Sequence, residues 1–304
     1  MSKQVAFIFP GQGTQYIGMG KELYQSNQKA KETFDKAGEI LGFDLKKLCF
    51  EGPQEELTNT ANAQVAILTH SIAALNSIKD DIYQPIFSLG LSLGEYSALV
   101  AAGAIDFEDA LRLVRKRGQF MDAAAKKNPG KMASIMGLDI ETVEELCKGI
   151  GCEIANLNCP GQVVVSGKET NIELIAGLAK DKGAKRAIIL DVSGAFHCSL
   201  MDPAKEKLEE EIQKVLFKVP KIPVIGNVTA QPSIDPQQIK QNLIKQVNNT
   251  TYFERSIGYV ISKGINSFVE IGPGKVLKGI LKKIDKELLV DNVEKTEDII
   301  EVTV

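Results

Sequence analysis

Residues 85–96 read Pro-Ile-Phe-Ser-Leu-Gly-Leu-Ser-Leu-Gly-Glu-Tyr: an apolar run stops at Gly90, Ser92 stands midway between Gly90 and Gly94, and an alanine- and leucine-rich segment continues to Ala102. The pattern predicts a strand, a sharp turn and a helix. Such a turn puts the serine in a strained backbone conformation. Glycines two residues either side let strand and helix approach closely enough to expose the hydroxyl. The hydroxyl then sits at a helix N-terminus, where unpaired N–H groups favour developing negative charge. Two plainer origins exist for the same string. A G-x-S-x-G sequence arises by chance in roughly one chain in ten of this length, and Ser92 with Glu95 fits an S-x-x-E capping box.

A chain of 304 residues with 44% hydrophobic content is long enough for one large domain or two, with an ample core. Its net charge of -3 gives no global argument for nucleic acid or membrane, and neither is expected as a partner. No stretch approaches the ~18 consecutive apolar residues of a spanning helix. The five cysteines are odd in number and irregularly spaced, and the first residues lack the pattern of a signal peptide. A soluble protein of a reducing, cytoplasmic setting is expected. With only His70 and His197 and no C-x-x-C pair, no metal and no cofactor are expected.

Val5–Phe9 is a continuous apolar run, the mark of a strand covered on both faces, and Pro10-Gly11-Gln12-Gly13 breaks it. That turn lacks the spacing and the Lys-Ser/Thr of a phosphate loop. It reads either as a plain connection or as a loop whose N–H groups face a site at the strand ends. Helical patterns follow at about 28–41, 61–79 and 106–127, the second marked by Val65, Leu68, Ile72 and Leu75. His70 lies inside it and reads as a packing residue. From 128 the order becomes strand-helix-strand-strand-helix-strand, the ferredoxin-like arrangement. The expected fold is α/β: a large α/β-hydrolase-like domain with a parallel sheet over 1–127 and 196–304, and an inserted ferredoxin-like subdomain over 128–195. In the large domain the patterns predict helices at about 203–216, 236–247 and 253–263, strands at 222–226 and 267–271, and a last helix to about 284. The acidic, β-branched end, 291–304, carries no readable pattern.

A serine nucleophile needs a base, donors for an oxyanion and a group that fixes the substrate. His197 is the candidate base by elimination, since an ordinary histidine pKa near 6.5 suits proton transfer at neutral pH, and a lone histidine equally fits a structural residue. Pro10-Gly11-Gln12-Gly13, Gly90-Leu91-Ser92-Leu93-Gly94-Glu95, Arg117-Gly118, Gly194-Ala195-Phe196-His197 and Glu270-Ile271-Gly272-Pro273-Gly274-Lys275 occur in an order and spacing that resemble the malonyl-CoA:acyl carrier protein transacylases over about residues 4–285.

The resemblance implies that Ser92 attacks the malonyl thioester after losing its proton to His197, and that the covalent malonyl-serine passes its acyl group to the phosphopantetheine thiol of acyl carrier protein in a ping-pong sequence serving fatty acid synthesis. It further implies that the backbone N–H groups of Gln12 and Leu93 form the oxyanion hole and that Arg117 pairs with the free malonyl carboxylate, as a planar guanidinium does and a lysine does not. Malonyl-CoA and acyl carrier protein are the implied partners. Phe196 resembles the bulky neighbour that crowds an α-methyl group in malonyl-selective members, and it equally fits a core phenylalanine. Two positions depart from the family pattern: Leu91 replaces the usual histidine before the nucleophile, and Tyr252 is aligned with the residue whose backbone carbonyl orients the histidine.

Lys275, Lys278, Lys282 and Lys283 recur at mostly three- and four-residue steps and fit either a solvated face or a docking surface for an acidic carrier-protein helix. Two other functions use the same residues. A serine hydrolase would take its triad acid from Asp122, Asp139, Asp181 or Asp191. A non-catalytic carrier-protein-binding module would keep the fold without turnover.

Overall fold

The computed structural model describes residues 3–79 and 82–301, so the ends of the expected domain range, 1–2 and 302–304, lie outside the described residues. Among these residues are strands β1 (Lys3–Phe9), β2 (Tyr83–Gly90), β3 (Gly130–Met136), β4 (Glu153–Cys159), β5 (Gln162–Lys168), β6 (Arg186–Ile189), β7 (Val224–Ile225), β8 (Pro232–Ser233), β9 (Ser267–Ile271) and β10 (Leu289–Val293). The larger sheet has the order β10-β9-β1-β2-β7-β8, parallel throughout except for the β7–β8 pair at its edge.

The apolar run of β1 is explained by its central place. Val5, Phe7 and Phe9 pack into one core, Ala6 and Ile8 into a second core on the opposite face, and all five are buried. Strand neighbours diverge at β1, with β2 on one side and β9 on the other. In an open parallel sheet, the crevice beyond the carboxyl ends at such a point is where ligands bind. The loops after β1 and β2 carry Gln12 and Ser92 to it.

The helix Thr60–Ser77 is buried nearly all round, polar Gln64, Thr69, His70 and Ser71 included. Its apolar spacing therefore marked the helix but not an exposed face. Gly118, in the helix Phe107–Lys127, sets how closely the two helices pack: a Cβ there would lie 2.6 Å from Ala61 Cα.

The second sheet has the antiparallel order β4-β5-β3-β6, with helices Ile140–Ile150 and Glu169–Asp181 between its strands and a core that includes Ile135, Val143, Val165 and Ile172. It is stitched to the rest of the chain at β4. There the Leu157 N–H donates to the Thr251 carbonyl and the Thr251 N–H to the Ala155 carbonyl, each at 2.9 Å.

Several elements were not anticipated from sequence. Helices Lys21–Ser26, Leu45–Glu51 and Gln54–Thr58 span two turns or less, too short for a period to register. Strand β10 lies partly within the tail that carried no readable pattern; its pairing with β9 makes it a strand. Conversely, the expected strand at 222–226 shortens to Val224–Ile225. Among the described residues, no helix is long and apolar enough to cross a membrane.

Candidate active site

Ser92 occupies the turn between β2 and the helix Gly94–Ala101 with φ 53, a left-handed conformation that costs a non-glycine residue on the order of 1–3 kcal/mol. Both glycines of the turn are sterically required: a Cβ on Gly94 would lie 2.1 Å from the Phe9 carbonyl oxygen, and one on Gly90 would lie 2.1 Å from the Gly94 carbonyl carbon. The strain is held from both sides. The Ser92 N–H donates to Asn227 Oδ1 at 2.7 Å, and the Ser92 carbonyl accepts from Gln246 Nε2 at 3.0 Å. Because Asn227 takes that N–H, Glu95 does not return to it as a capping box would require. The helix begins after Leu93 with no side-chain cap.

His197, also at positive φ (59), comes to the same point from the segment after β6. Its Nε2 lies 2.9 Å from Ser92 Oγ and its Nδ1 2.8 Å from the Gln246 carbonyl. A carbonyl only accepts, so Nδ1 carries the proton and Nε2 presents its lone pair to the serine hydroxyl. Burial, and secondarily the Arg117 charge, pushes the imidazole down to about 4 against the opposing pull of its backbone partners. The ring is neutral at pH 7 and able to accept a proton.

The oriented carbonyl is thus that of Gln246 and not of Tyr252, contrary to the sequence alignment. The Tyr252 carbonyl is engaged within its own helix by the N–H and hydroxyl of Ser256. Tyr252 instead donates its N–H to the Asn227 carbonyl at 2.8 Å and packs beside the core of the small sheet.

Arg117 is only 1% exposed. One guanidinium nitrogen donates to Gln64 Oε1 at 2.6 Å; the other donates to Gln246 Oε1 and to Ser92 Oγ, each at 3.0 Å. The guanidinium lies 5.5 Å from the centre of the Tyr96 ring. Burial lowers its pKa, opposed by Tyr96 and Glu95, and a guanidinium keeps its charge under such conditions. Ser92 Oγ therefore accepts from Arg117 while donating to His197, which directs its proton and one of its two lone pairs.

Gln12 is fixed through its side chain, which donates to Thr60 Oγ1 at 3.2 Å. Among the described residues, neither the Gln12 N–H nor the Leu93 N–H donates to another group of the chain, which leaves both for a ligand. A cleft of about 590 Å³ opens over these groups, with Gln12, Ser92, Arg117 and His197 in its lining and Met121, Met132, Val164 and Phe196 as apolar wall. Leu91 lines it as well and adds no polar group.

Other residues considered from sequence stand elsewhere. His70 is buried without a hydrogen-bond partner among the described residues, and burial takes it down to about 4. Lys275, Lys278, Lys282 and Lys283 do not line the cleft. Of the four candidate triad acids only Asp191 borders the cleft, and none bonds His197, whose Nδ1 is committed to a carbonyl. Sequence reasoning missed Gln246, Asn227 and Gln64. They are isolated polar residues without a motif, brought to Ser92, Ser92 and Arg117 respectively across 154, 135 and 53 positions of chain. Their only sequence signal is polarity in segments that bury.

A buried serine–histidine pair with a guanidinium on the serine oxygen, on a parallel α/β sheet, defines a serine-dependent acyl-transfer class of protein. The chain belongs to the acyl transferase domain family, whose model it matches over residues 6–300. It is 51% identical to the malonyl CoA-acyl carrier protein transacylase of Bacillus subtilis (strain 168) over 293 residues, 95% of this chain and 92% of that protein. It is 43% identical to the protein of the same name from Staphylococcus aureus (strain MRSA252), covering 98% of each. Among solved structures, the malonyl CoA-acyl carrier protein transacylase of Coxiella burnetii superposes with a TM-score of 0.96 at 38% identity, covering 99% of this chain and 97% of that one. A malonyl-transacylase solved in complex with a type II PKS acyl-carrier protein gives 0.94 at 37% identity, covering 99% of both.

Proposed function

We propose that the protein transfers a malonyl group from malonyl-CoA to the phosphopantetheine thiol of acyl carrier protein through a malonyl-serine, in fatty acid synthesis and in the cytoplasm. The observation that carries this reading is the buried Arg117 guanidinium 3.0 Å from the hydroxyl of a histidine-paired serine. An acyl group reaching Ser92 meets a fixed cation suited to a second, free carboxylate, which a malonyl group has and an acetyl group lacks.

In the first half-reaction Ser92 Oγ attacks the thioester carbonyl as its proton passes to His197 Nε2. The tetrahedral oxyanion is met by the N–H groups of Gln12 and Leu93, and collapse expels the CoA thiolate, which takes the proton from His197. In the second half-reaction His197 takes the proton of the phosphopantetheine thiol, and the resulting thiolate attacks the malonyl-serine ester. Ser92 leaves and is reprotonated by His197. Phe196 lines the cleft beside His197, where it would crowd an α-methyl group. The segment 128–195 serves in this reading as an inserted ferredoxin-like subdomain that supplies Met132 and Val164 to the wall of the cleft, with 1–127 and 196–304 forming the catalytic domain.

A serine hydrolase on the same turn would show release of malonate to water. The discriminating assay mixes malonyl-CoA with the protein with and without holo-acyl carrier protein. Malonyl carrier protein is the expected main product, and dominant hydrolysis in the presence of the carrier would overturn the reading.

A further inference from the structure

The nucleophile, the base and the guanidinium come from three distant segments, and one buried carboxylate links what holds them. Glu95 is 2% exposed. Its Oε2 accepts from Gln246 Nε2 at 2.6 Å and from the Asn227 N–H at 3.1 Å. Asn227 in turn accepts the Ser92 N–H on Oδ1 and donates to the Gly90 carbonyl through Nδ2, both at 2.7 Å. Gln246 touches everything else: Nε2 reaches the Ser92 carbonyl, Oε1 accepts from Arg117, and its own carbonyl holds His197.

The Gln246 amide works in one orientation only. Flipped, its oxygen would face the Glu95 carboxylate and the Ser92 carbonyl, three acceptors with no proton between them, while its NH₂ would face the Arg117 donors. The Glu95 carboxylate sets that orientation. It also places a negative charge near a buried guanidinium, which an isolated buried cation requires.

On the reading of Ser92 as the acyl-carrying nucleophile, we propose that Glu95 is a positioning residue that aligns Ser92, His197 and Arg117 by fixing Gln246 and Asn227. It touches no substrate and transfers no proton. Burial pushes the Glu95 carboxyl up to about 7, while the hydrogen bonds from Gln246 and Asn227 and the Arg117 charge pull toward the ionised form that accepts from both.

The test follows acylation of Ser92 by malonyl-CoA with rapid quench and intact-mass detection, over a range of malonyl-CoA concentrations. Glu95→Ala should lower the limiting acylation rate about 100-fold, the scale of a misplaced reacting group, with a KM change no larger than about threefold. Glu95→Gln keeps one acceptor oxygen where Oε2 stands and should recover the rate to within about tenfold of the unmutated protein. Thermal unfolding of each variant reports whether it is folded. A folded Glu95→Ala acylating within threefold of the unmutated protein overturns the proposal, as does a Glu95→Gln rate as low as that of Glu95→Ala. Should Glu95→Ala not fold, Gln246→Met keeps the carbonyl on His197 and removes all three amide contacts, to Glu95, the Ser92 carbonyl and Arg117. It should be slowed about as much, with no further loss on adding Glu95→Gln, and native acylation in Gln246→Met overturns the proposal. An unmutated protein that takes no malonyl on Ser92 would instead refute the underlying reading.

Discussion

At the scale of single residues, the chemistry depends on how few groups have a choice of partner. His197 has its tautomer set by a carbonyl, and Ser92 has its hydroxyl directed by Arg117 on one side and His197 on the other. Arg117 is the residue whose removal should discriminate between substrates. Arg117→Ala is expected to lower kcat/KM for malonyl-CoA by about 100-fold or more, the loss of a buried charge-assisted pair of about 3 kcal/mol, while acetyl-CoA, without the free carboxylate, loses far less. Parallel assays of the two thioesters check this, and equal penalties would remove the carboxylate role. Arg117→Lys should recover little, because an ammonium cannot serve Gln64, Gln246 and a carboxylate from one planar fork. With only two histidines in the chain, imidazole NMR gives a further check on the base: at pH 5.5 both rings should be neutral, since burial takes each down to about 4. A protonated His197 at that pH would contradict the buried geometry.

At the scale of elements, two close approaches position the site. One is the strand-to-helix turn around Ser92; the other is the contact of Gly118 with the helix Thr60–Ser77. Gly118→Ala would drive a methyl against Ala61, so the helices must part and Arg117, one residue earlier, must move. Overpacking of this kind costs about 1–3 kcal/mol, and malonyl-CoA turnover should fall at least about tenfold, given how steeply rate depends on alignment. Chemical denaturation and the transfer assay measure the two effects. A variant as stable and active as the parent would show that the helix spacing is not set there.

These elements also show what sequence can disclose. The β1 and β2 runs, the serine turn and the 128–195 pattern rest on local composition and were legible, and the structure brings the expected Ser92, His197 and Arg117 into contact. Tyr252 was misassigned because nothing local distinguishes it from Gln246 as the carbonyl on His197; only the path of the chain after the helix Pro236–Gln246 decides. Strand β10 was invisible because it becomes a strand by pairing with β9. Glu270, noted only within a motif, proves to cap the helix Val276–Ile284 through the N–H groups of Leu277 and Lys278, at 2.9 and 2.7 Å.

At the scale of the whole molecule, burial of titratable groups couples the fold to pH in two opposed senses. His70 and His197 are depressed from 6.5 to about 4, so their contribution is present above pH 6.5 and is lost as pH falls toward 4. Glu95 and Glu270 are raised from 4.5 to about 7, so theirs is present below pH 4.5 and is lost as pH rises through 7. Between pH 4.5 and 6.5 the two pairs offset one another. Removing one member exposes the linkage: the stability of the parent relative to His70→Leu should rise by on the order of 1 kcal/mol per pH unit across that window. Denaturant titrations at several pH values test this, and a pH-independent difference would mean that His70 is not held neutral.

The whole molecule exists, on this account, to carry an acyl group on one oxygen atom. Intact-mass spectrometry of the protein after mixing with malonyl-CoA tests that most directly. The expected result is a single malonyl adduct, mapped to Ser92, absent in Ser92→Ala and discharged on adding holo-acyl carrier protein. An unmutated protein that shows no adduct, or an adduct that survives in Ser92→Ala, would contradict it.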